Sequence, residues 1–164
     1  MNIALIGMMG SGKSTIGKLL ADKLNLNFID TDEEIIKLSN CSINKIFETQ
    51  GEESFRTIET VVLSKTLKRD NQIIATGGGI IKKEENRNLL KEITTIYLKA
   101  DKETIFERVK NDNTRPLLNT ENLPNTINKI LSEREHLYEQ SKYVVDTTNK
   151  TPNEVVNEII EKIS

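Results

Sequence analysis

The feature that most constrains the fold of this chain is a glycine-rich run near its N-terminus, GMMGSGKS at positions 7–14. The run matches the pattern G-x-x-x-x-G-K-[ST], in which a loop turns its backbone N–H groups toward bound phosphates. Residues 2–6 before it are apolar, as in a buried strand, and apolar residues at 16–24 recur at helical spacing. A strand, this loop and a helix in that order predict a phosphate-binding loop. The alternative is a chance glycine-rich turn, but such a turn does not explain why a Lys-Ser pair follows the last glycine at the position that the pattern requires.

Individual residues of the loop suit particular parts of a nucleoside triphosphate. The Lys13 ammonium can reach the β- and γ-phosphates, and the Ser14 hydroxyl can bind Mg²⁺. The N-terminus of the following helix adds a partial positive charge that favours anions. We therefore predict that ATP is bound by the loop residues Gly10, Ser11, Gly12, Lys13, Ser14 and Thr15.

Four more short apolar segments follow the loop and alternate with helical patterns. Strands are predicted at 27–30, 72–75, 95–98 and 143–146, and the segments between them carry apolar residues on one helical face. Such alternation favours a parallel sheet covered on both faces, so the predicted fold class is α/β with a five-stranded parallel sheet. A length of 164 residues suits one domain, and we expect residues 1–164 to form it.

Composition limits the partners and the compartment. The 23 Lys and Arg residues against 25 Asp and Glu residues leave a net charge of −2, which offers no attraction to nucleic acid or an anionic membrane. No apolar run is long enough to span a bilayer, and a strand begins almost at the N-terminus, where a signal peptide would otherwise lie. Cys41 is the only cysteine, which excludes an internal disulfide. We therefore expect a cytoplasmic protein that binds neither nucleic acid nor membrane.

Two carboxylates, Asp30 and Asp32, directly follow the second predicted strand. Open α/β sheets bind their ligands beyond the carboxyl ends of the strands, so these side chains are candidates for a site. A capping role is the alternative for Asp32, because a helix is predicted at 33–38 and aspartate is a common N-cap. Three glycines at 77–79 follow the third strand, and they allow either close approach of a ligand to the backbone or a flexible turn.

A longer helix is predicted from Glu52 to about Lys68, after a break at Gly51. Arg56 and Glu59 are three residues apart on one flank of this helix and are therefore neighbours. One interpretation is a solvated surface ion pair, which would contribute under about 1 kcal/mol. The other is an arginine that a glutamate holds so that its guanidinium faces a pocket. Spacing alone favours the surface ion pair.

The segment 111–123 is polar and shows no helical or strand pattern, which is typical of a lid or a binding loop. Arg115 is its one cation. The helix predicted after it carries an apolar stripe that Arg134 interrupts, and a charge directed toward the core needs an anionic partner. The alternative for Arg134 is a side chain that snorkels at the edge of the stripe. His136 lies off the stripe and is expected at the surface without a role.

These motifs, in this order, resemble the shikimate kinase family, whose members phosphorylate the 3-hydroxyl of shikimate in aromatic amino-acid biosynthesis. The resemblance covers essentially the whole chain. The run Gly-Glu-x-x-Phe-Arg-x-x-Glu at 51–59, the triple glycine and Arg-Pro-Leu-Leu at 115–118 are much more specific than the phosphate loop, which alone indicates only nucleotide binding. The family implies a P-loop NTPase-like three-layer sandwich with a mobile lid at 111–123 and a shikimate-binding segment at 31–62.

On the nucleotide side, the resemblance implies that Lys13 and Arg115 are catalytic and neutralise the phosphates, with Arg115 moving in as the lid closes. Arg108 would pack on the adenine base of ATP. Ser14 and Asp30 would hold Mg²⁺, the cofactor that accompanies ATP. We expect a monomer whose partners are the small molecules shikimate and ATP.

On the acceptor side, the resemblance implies that Asp32 is the third catalytic residue and accepts hydrogen bonds from ring hydroxyls, including the attacking one. Two arginines would hold the carboxylate of shikimate in planar, bidentate fashion, and Glu59 would orient one of them, Arg56. Two phenylalanines would wall the apolar side of the ring. The predicted shikimate contacts are Asp32, Phe47, Phe55, Arg56, Gly77, Gly78, Gly79 and Arg134.

The chain departs from the family pattern in two places. His136 stands where the family usually has proline, which would alter the helix bend near Arg134 but not the guanidinium. Residues 149–152 match the family's adenine-loop segment only loosely. Three other functions stay open: a gluconate kinase, a nucleoside monophosphate kinase and a nucleotide-binding regulator without transferase activity. The run at 51–59 and the short lid favour shikimate over gluconate, and ADP formation with AMP as acceptor would reveal a nucleoside monophosphate kinase. The intact Lys13, Ser14, Asp30, Asp32 and Arg115 argue against the regulator.

Overall fold

Five parallel strands form the sheet of this protein, which a computed structural model describes over residues 1–164. The strands are β1 (Asn2–Ile6), β2 (Asn27–Asp30), β3 (Gln72–Ala75), β4 (Thr94–Lys99) and β5 (Tyr143–Asp146). Their order across the sheet is β2-β3-β1-β4-β5, and every neighbouring pair is parallel. The predicted parallel sheet is confirmed, and only β4 is longer than expected, by one residue at each end.

Helices connect the strands and cover both faces of the sheet. They are α1 (Lys13–Leu24), α2 (Thr31–Ser39), α3 (Ile43–Thr66), α4 (Glu84–Lys91), α5 (Lys102–Val109), α6 (Leu123–Tyr138) and α7 (Pro152–Ile163). Short 3₁₀ helices lie at Ile80–Lys82 and Pro116–Leu118. None of the helices combines the length and the apolar character that crossing a bilayer requires.

Side chains of the central strand β1 enter two separate cores, because successive residues of a strand point to opposite faces of the sheet. Ile3 and Leu5 belong to a cluster of 12 buried residues that includes the inner faces of α1 and α7. Ala4 and Ile6 belong to a cluster of 16 buried residues that includes side chains of α4, α5 and α6. The expected three-layer sandwich is therefore confirmed. A further cluster of 4 buried residues joins α2 to α3.

The start of α2 corrects one expectation about the two carboxylates after β2. Asp30, not Asp32, is the N-cap: its Oδ1 accepts hydrogen bonds from the backbone N–H groups of Asp32, at 2.9 Å, and Glu33, at 3.4 Å. The helix begins at Thr31, two residues earlier than expected, so Asp32 lies inside its first turn and cannot cap it. The Asp32 side chain is therefore released from any capping role.

The segment 111–123 is less irregular than its composition indicated. Residues Pro116–Leu118 form a single 3₁₀ turn, and Leu118 is buried in the same core as α6. α6 begins at Leu123 with Asn122 as its N-cap. One apolar side chain thus anchors the centre of this segment to the core, and polar residues lie on both sides of it.

The kink in α3 is explained by one residue. At Gly51, φ is 83° and ψ is 169°, and the predicted break at this position is confirmed. This backbone region is essentially restricted to glycine. A Cβ at Gly51 would have no neighbour within 4 Å, so backbone strain alone constrains the position.

We expect Gly51→Ala to lower the free energy of unfolding by about 1–3 kcal/mol, the cost of holding a residue with a side chain in this backbone region. The matched control is Gln50→Ala at the neighbouring exposed helical position, which should change stability by under about 0.5 kcal/mol. Urea unfolding followed by circular dichroism measures both variants. Equal stabilities of the two variants would show that the kink does not require glycine.

Candidate active site

Two connected cavities lie beyond the carboxyl ends of β1, β2 and β3. The large cavity has a volume of about 510 Å³ and is lined by the phosphate loop, both carboxylates after β2, and residues 76–78 after β3. The small pocket has a volume of about 70 Å³ and lies between α3, the triple glycine and the segment 111–123. The residues that line both are Asp32, Ile43, Gly77, Gly78, Thr114 and Arg115.

Lys13 lies at the first residue of α1 and folds back over the phosphate loop. Its Nζ donates hydrogen bonds to the backbone carbonyls of Gly7, at 2.8 Å, and Met8, at 2.9 Å. Burial disfavours the ammonium and, with the positive charge of Arg115 as the next cause, lowers the pKa of Lys13 to about 7. Ser14 and Thr15, which follow it on the helix, are exposed to the large cavity.

Ser14 and Asp30 are directly linked in the large cavity. The Ser14 hydroxyl donates to Asp30 Oδ2 at 2.7 Å, while Asp30 Oδ1 caps α2. A hydroxyl and a carboxylate are hard oxygen donors of the kind that Mg²⁺ accepts. No group of three or more His, Cys, Asp or Glu side chains is arranged to hold a metal ion, so a cation here would also need oxygens from a bound nucleotide and from water.

Asp32 faces Gly77 across the entrance to the small pocket. A Cβ at Gly77 would lie 2.9 Å from Asp32 Oδ1 and 2.9 Å from Glu59 Oε2, so only glycine leaves room for these two carboxylates. The backbone N–H of Gly77 donates to Thr31 Oγ1 at 3.2 Å, which ties the glycine turn to α2. Burial raises the pKa of Asp32, and the negative charge of Asp30 raises it further.

Arg56 and Glu59 form a buried ion pair, and the surface interpretation that spacing favoured is wrong. Arg56 Nη1 donates to Glu59 Oε1 at 2.9 Å, and the two residues are 8% and 0% exposed. A Cβ at Gly79 would overlap the Arg56 guanidinium, whose Cζ would be 2.5 Å away. The flank of α3 that carries the pair therefore faces the triple glycine rather than solvent. Burial raises the pKa of Glu59, against the opposing effect of Arg56.

Arg134 approaches the same turn from α6. It is only 5% exposed and its Nη1 has no hydrogen-bond partner, so the snorkelling interpretation is wrong. A Cβ at Gly78 would lie 3.5 Å from that nitrogen. Tyr138, one helical turn further on, donates from its hydroxyl to the Gly78 carbonyl at 2.5 Å and so fixes α6 against the glycines. His136 is exposed, as expected.

The two predicted phenylalanines meet on one wall of the small pocket. The ring centroids of Phe47 and Phe55 are 5.0 Å apart with an interplanar angle of 45°. The guanidinium carbon of Arg56 lies 5.0 Å from the centroid of Phe55. Pro116 and Leu117 of the segment 111–123 also line this pocket. The pocket therefore has an apolar side next to its buried arginine.

Arg115 and Arg108 contact different parts of the large cavity. Arg115 Nε donates to Asp112 Oδ2 at 2.9 Å, and its side chain, 39% exposed, lines both cavities. Arg108 Nη1 donates to the Gly10 carbonyl at 2.9 Å, which places this guanidinium at the phosphate loop. The packing of Arg108 on adenine stays a prediction.

Two charged residues that border the site without lining either cavity were given no role from the sequence. Glu52 Oε1 accepts a hydrogen bond from Lys82 Nζ at 2.8 Å and lies 3.4 Å from Arg56 Nη2. Glu52 precedes Arg56 by four residues on α3, so its spacing already indicated a neighbour. Lys82 is 30 positions away on the 3₁₀ helix after the glycines, and no local pattern indicates that contact.

A strand–loop–helix phosphate cradle beside a pocket of buried arginines and carboxylates defines a P-loop phosphotransferase. The family model for shikimate kinase matches residues 9–164 of this chain. A shikimate kinase of Thermodesulfovibrio yellowstonii is 43% identical over 162 residues, which are 98% of this chain and 94% of that protein. One of Caldicellulosiruptor bescii is 44% identical over 160 residues, 97% of this chain and 93% of that protein. The chain belongs to the shikimate kinase family and is therefore a kinase.

Solved structures agree with this assignment. Shikimate kinase from Acinetobacter baumannii in complex with shikimate superposes with a TM-score of 0.97 at 38% identity, covering 99% of this chain and 92% of that one. A gluconokinase from Sinorhizobium meliloti gives a TM-score of 0.65 at 19% identity, over 98% of this chain and 89% of that one. The second likeness shows the fold alone.

We expect Lys13 to take up a proton when a nucleotide binds at alkaline pH. A pKa of about 7 leaves most of its amino group neutral at higher pH, whereas adjacent phosphates favour the ammonium and raise the pKa. Binding of ADP with Mg²⁺ should take up as much as about one proton near pH 8, and much less near pH 6, where Lys13 is already charged. Calorimetric titration in two buffers of different ionisation enthalpy measures the uptake.

The control is Lys13→Arg, because an arginine stays charged at every pH used and takes up no proton. Proton uptake that persists in this variant, or that is the same at both pH values in the natural protein, would assign the exchange to another group.

Proposed function

We propose that this kinase transfers the γ-phosphoryl group of ATP to the 3-hydroxyl of shikimate, releasing ADP and shikimate 3-phosphate for aromatic amino-acid biosynthesis. The observation that carries the proposal is the convergence of two buried arginines from separate helices, Arg56 and Arg134, on adjacent glycines. Each guanidinium has a buried nitrogen without a partner, which is costly unless a ligand satisfies it. Shikimate carries the anion and the hydroxyls that such a pocket would need, and the A. baumannii relative was solved with it.

The acceptor would occupy the small pocket and extend past Asp32, which lines both cavities, into the large one. Arg56 and Arg134 would bind its carboxylate, since the planar guanidinium fork matches a carboxylate in two-pronged fashion. Glu59 would hold Arg56 in that orientation through the 2.9 Å hydrogen bond that they already make. Phe47 and Phe55 would contact the apolar side of the ring, and the backbone of the three glycines would allow its close approach.

Asp32 would position the attacking hydroxyl and then take its proton. Burial raises the pKa of Asp32, which makes its carboxylate a better proton acceptor near neutral pH than an exposed aspartate. Phosphoryl transfer passes through a loose transition state, so early removal of the proton is not required. We therefore assign Asp32 as a positioning group for the hydroxyl first and as a general base second.

The donor would lie in the large cavity with its phosphates on the loop at 10–15. Lys13 would exchange the carbonyls of Gly7 and Met8 for phosphate oxygens, and Arg115 would add a second positive charge from the segment 111–123. Charge neutralisation and positioning are the main contributions that a protein makes to phosphoryl transfer. Closure of the lid would exclude water and so limit hydrolysis of ATP.

Mg²⁺ is the cofactor that this proposal requires. The oxygen atoms of Ser14 and Asp30, linked at 2.7 Å, fit this cation. When bound, Mg²⁺ supplies neutralisation of charge on the β- and γ-phosphate oxygens. Ser14 would contribute its hydroxyl, and the capping bonds of Asp30 would hold its carboxylate in place.

We further propose that residues 1–164 act as a single kinase domain, with 31–62 as the shikimate-binding segment and 111–123 as the lid. A monomer is the proposed state of assembly. The cytoplasm is proposed because it holds the ATP supply. Light scattering of the purified protein and cell fractionation test these two assignments, and a dimer mass or a membrane-bound fraction would contradict them.

We expect release of ADP to depend on shikimate and on Mg²⁺. A coupled assay across shikimate, gluconate and AMP measures this dependence, because these three acceptors represent the three kinase functions left open by the sequence. Turnover with gluconate or AMP equal to that with shikimate, or none with shikimate, would overturn the proposed function. Binding of ATP without any turnover would favour a nucleotide-binding regulator instead.

Replacement of either proposed carboxylate-binding arginine should weaken acceptor binding. Each charge-assisted hydrogen bond contributes about 1.5–3 kcal/mol, so Arg56→Ala and Arg134→Ala should each reduce shikimate affinity by at least about tenfold. Lysine should replace either poorly, because a point charge cannot make the two-pronged contact. Because both arginines act on one anion, the double variant should lose less than the sum of the single losses.

Calorimetric titration with shikimate, and separately with a non-hydrolysable ATP analogue, measures these losses. Arg69→Ala is the matched control, because Arg69 is exposed and lines neither cavity. Strictly additive losses, or an equal loss of nucleotide affinity, would mean that the two arginines do not share a carboxylate.

A further inference from the structure

The guanidinium of Arg56 is flanked by two carboxylates. Its Nη1 donates to Glu59 at 2.9 Å, and its Nη2 lies 3.4 Å from Glu52 Oε1. The same oxygen of Glu52 accepts a shorter hydrogen bond, 2.8 Å, from Lys82. Glu52 is therefore shared between two cations, and the shorter of its two contacts is with Lys82.

This arrangement matters because the proposed acceptor is an anion. The charges around the small pocket include the carboxylates of Glu52, Glu59 and Asp32. They are opposed by Arg56, Arg115, Arg134 and Lys82, so four cations meet three carboxylates. Without the charge of Lys82 the cations no longer outnumber the carboxylates, and the attraction to an approaching anion weakens.

We propose that Lys82 determines the affinity of the acceptor site by cancelling the charge of Glu52, which leaves Arg56 able to bind the carboxylate of the acceptor. The inference rests on the proposed function, because it takes that carboxylate as the anion bound by Arg56. Lys82 ends the 3₁₀ helix that follows the triple glycine, and Glu52 lies on α3 with Arg56. The contact thus links the glycine turn to the helix that presents the arginine.

The state of Glu52 agrees with this assignment. Its hydrogen bond with Lys82 is the largest cause that lowers the pKa of Glu52, so its carboxylate stays ionised throughout the neutral range. If Lys82 were removed, a full negative charge would remain beside Arg56 Nη2. It would then compete with the acceptor for the guanidinium.

An ordinary surface ion pair is the competing explanation. The side chains of Lys82 and Glu52 are 43% and 39% exposed, and pairs of this kind contribute little to stability. The two explanations differ in what the glutamate does once Lys82 is gone. If the pair is only structural, the loss of Lys82 breaks it whether or not Glu52 is also replaced. If Lys82 cancels the charge of Glu52, replacing Glu52 with a neutral residue removes the need for the lysine.

The test is a set of steady-state measurements on Lys82→Met, Glu52→Gln and the double variant. We expect Lys82→Met to raise KM for shikimate by about two- to fivefold, the size that half-exposed charges produce, with kcat and KM for ATP unchanged. Adding Glu52→Gln to Lys82→Met should return KM for shikimate to near its natural value. Lys82→Arg should behave like the natural protein, because it keeps the charge.

Two further measurements separate charge from structure. The effect of Lys82→Met on KM should shrink as salt is raised, because exposed charges are screened. Lys83→Met is the matched control: Lys83 is the next residue, its side chain makes no capping hydrogen bond to α4, and its removal should leave KM for shikimate unchanged.

An unchanged KM for shikimate in Lys82→Met would overturn the inference. So would a double variant that is no better than Lys82→Met, since that result assigns the pair a structural role. If the natural protein itself shows no turnover with shikimate, the proposed function fails. If it turns over shikimate and Lys82→Met matches it, only the role of Lys82 fails.

Discussion

The site depends on the space that three glycines leave open after β3. Charged side chains are buried there against the backbone of residues 77–79, and a Cβ at Gly77 or Gly79 would collide with a carboxylate or a guanidinium. Burying charges is costly unless each has a partner, so the site can exist only as a set of opposite charges held at short range. Arg56 with Glu59, at 2.9 Å, is the central pair of that set.

The fold delivers these charges to one place because all strands of a parallel sheet end at the same edge. The phosphate loop follows β1, the carboxylates follow β2 and the glycines follow β3, and these strands are neighbours or next neighbours in the sheet. α3 and α6 then approach the glycine turn from outside the sheet. Tyr138 fixes α6 there with its 2.5 Å hydrogen bond to the carbonyl of Gly78. Because Arg134 lies one turn before Tyr138 on the same helix, this bond also holds Arg134 next to the glycines.

Features whose physical cause is contained in a few consecutive residues could be predicted from the sequence. Gly51 breaks α3 as its neighbours indicated, and the N-cap Asp101 of α5 and the capping box of Thr151 and Glu154 at α7 have equally local causes. The strands and their parallel arrangement were predictable for the same reason, since hydrophobic periodicity is local. The alternative that Asp32 caps α2 is wrong, because the helix starts at Thr31 and Asp30 caps it.

Burial and long-range pairing could not be predicted in this way. Spacing shows that Arg56 and Glu59 are neighbours, but whether their flank meets water or a glycine turn depends on residues 77–79, far along the chain. The contact of Lys82 with Glu52 likewise exists only once β3 has placed the 3₁₀ helix beside α3. For Arg134, the apolar stripe indicated an unusual position, and its unpartnered nitrogen became visible only in the folded chain.

The two cavities differ in how their polar groups are satisfied, and this difference bears on how the proposed substrates would bind. In the large cavity, Lys13 is bonded to backbone carbonyls, Ser14 to Asp30 and Arg115 to Asp112. A nucleotide there would have to exchange one set of partners for another.

In the small pocket, Arg56 Nε and Glu59 Oε2 are buried without partners, and so is Arg134 Nη1 beside Gly78, which lines that pocket. These atoms are already desolvated, so a ligand that satisfied them would not have to remove them from other bonds. We infer that the acceptor pocket is preorganised by the fold, whereas the donor site is rearranged by its ligand.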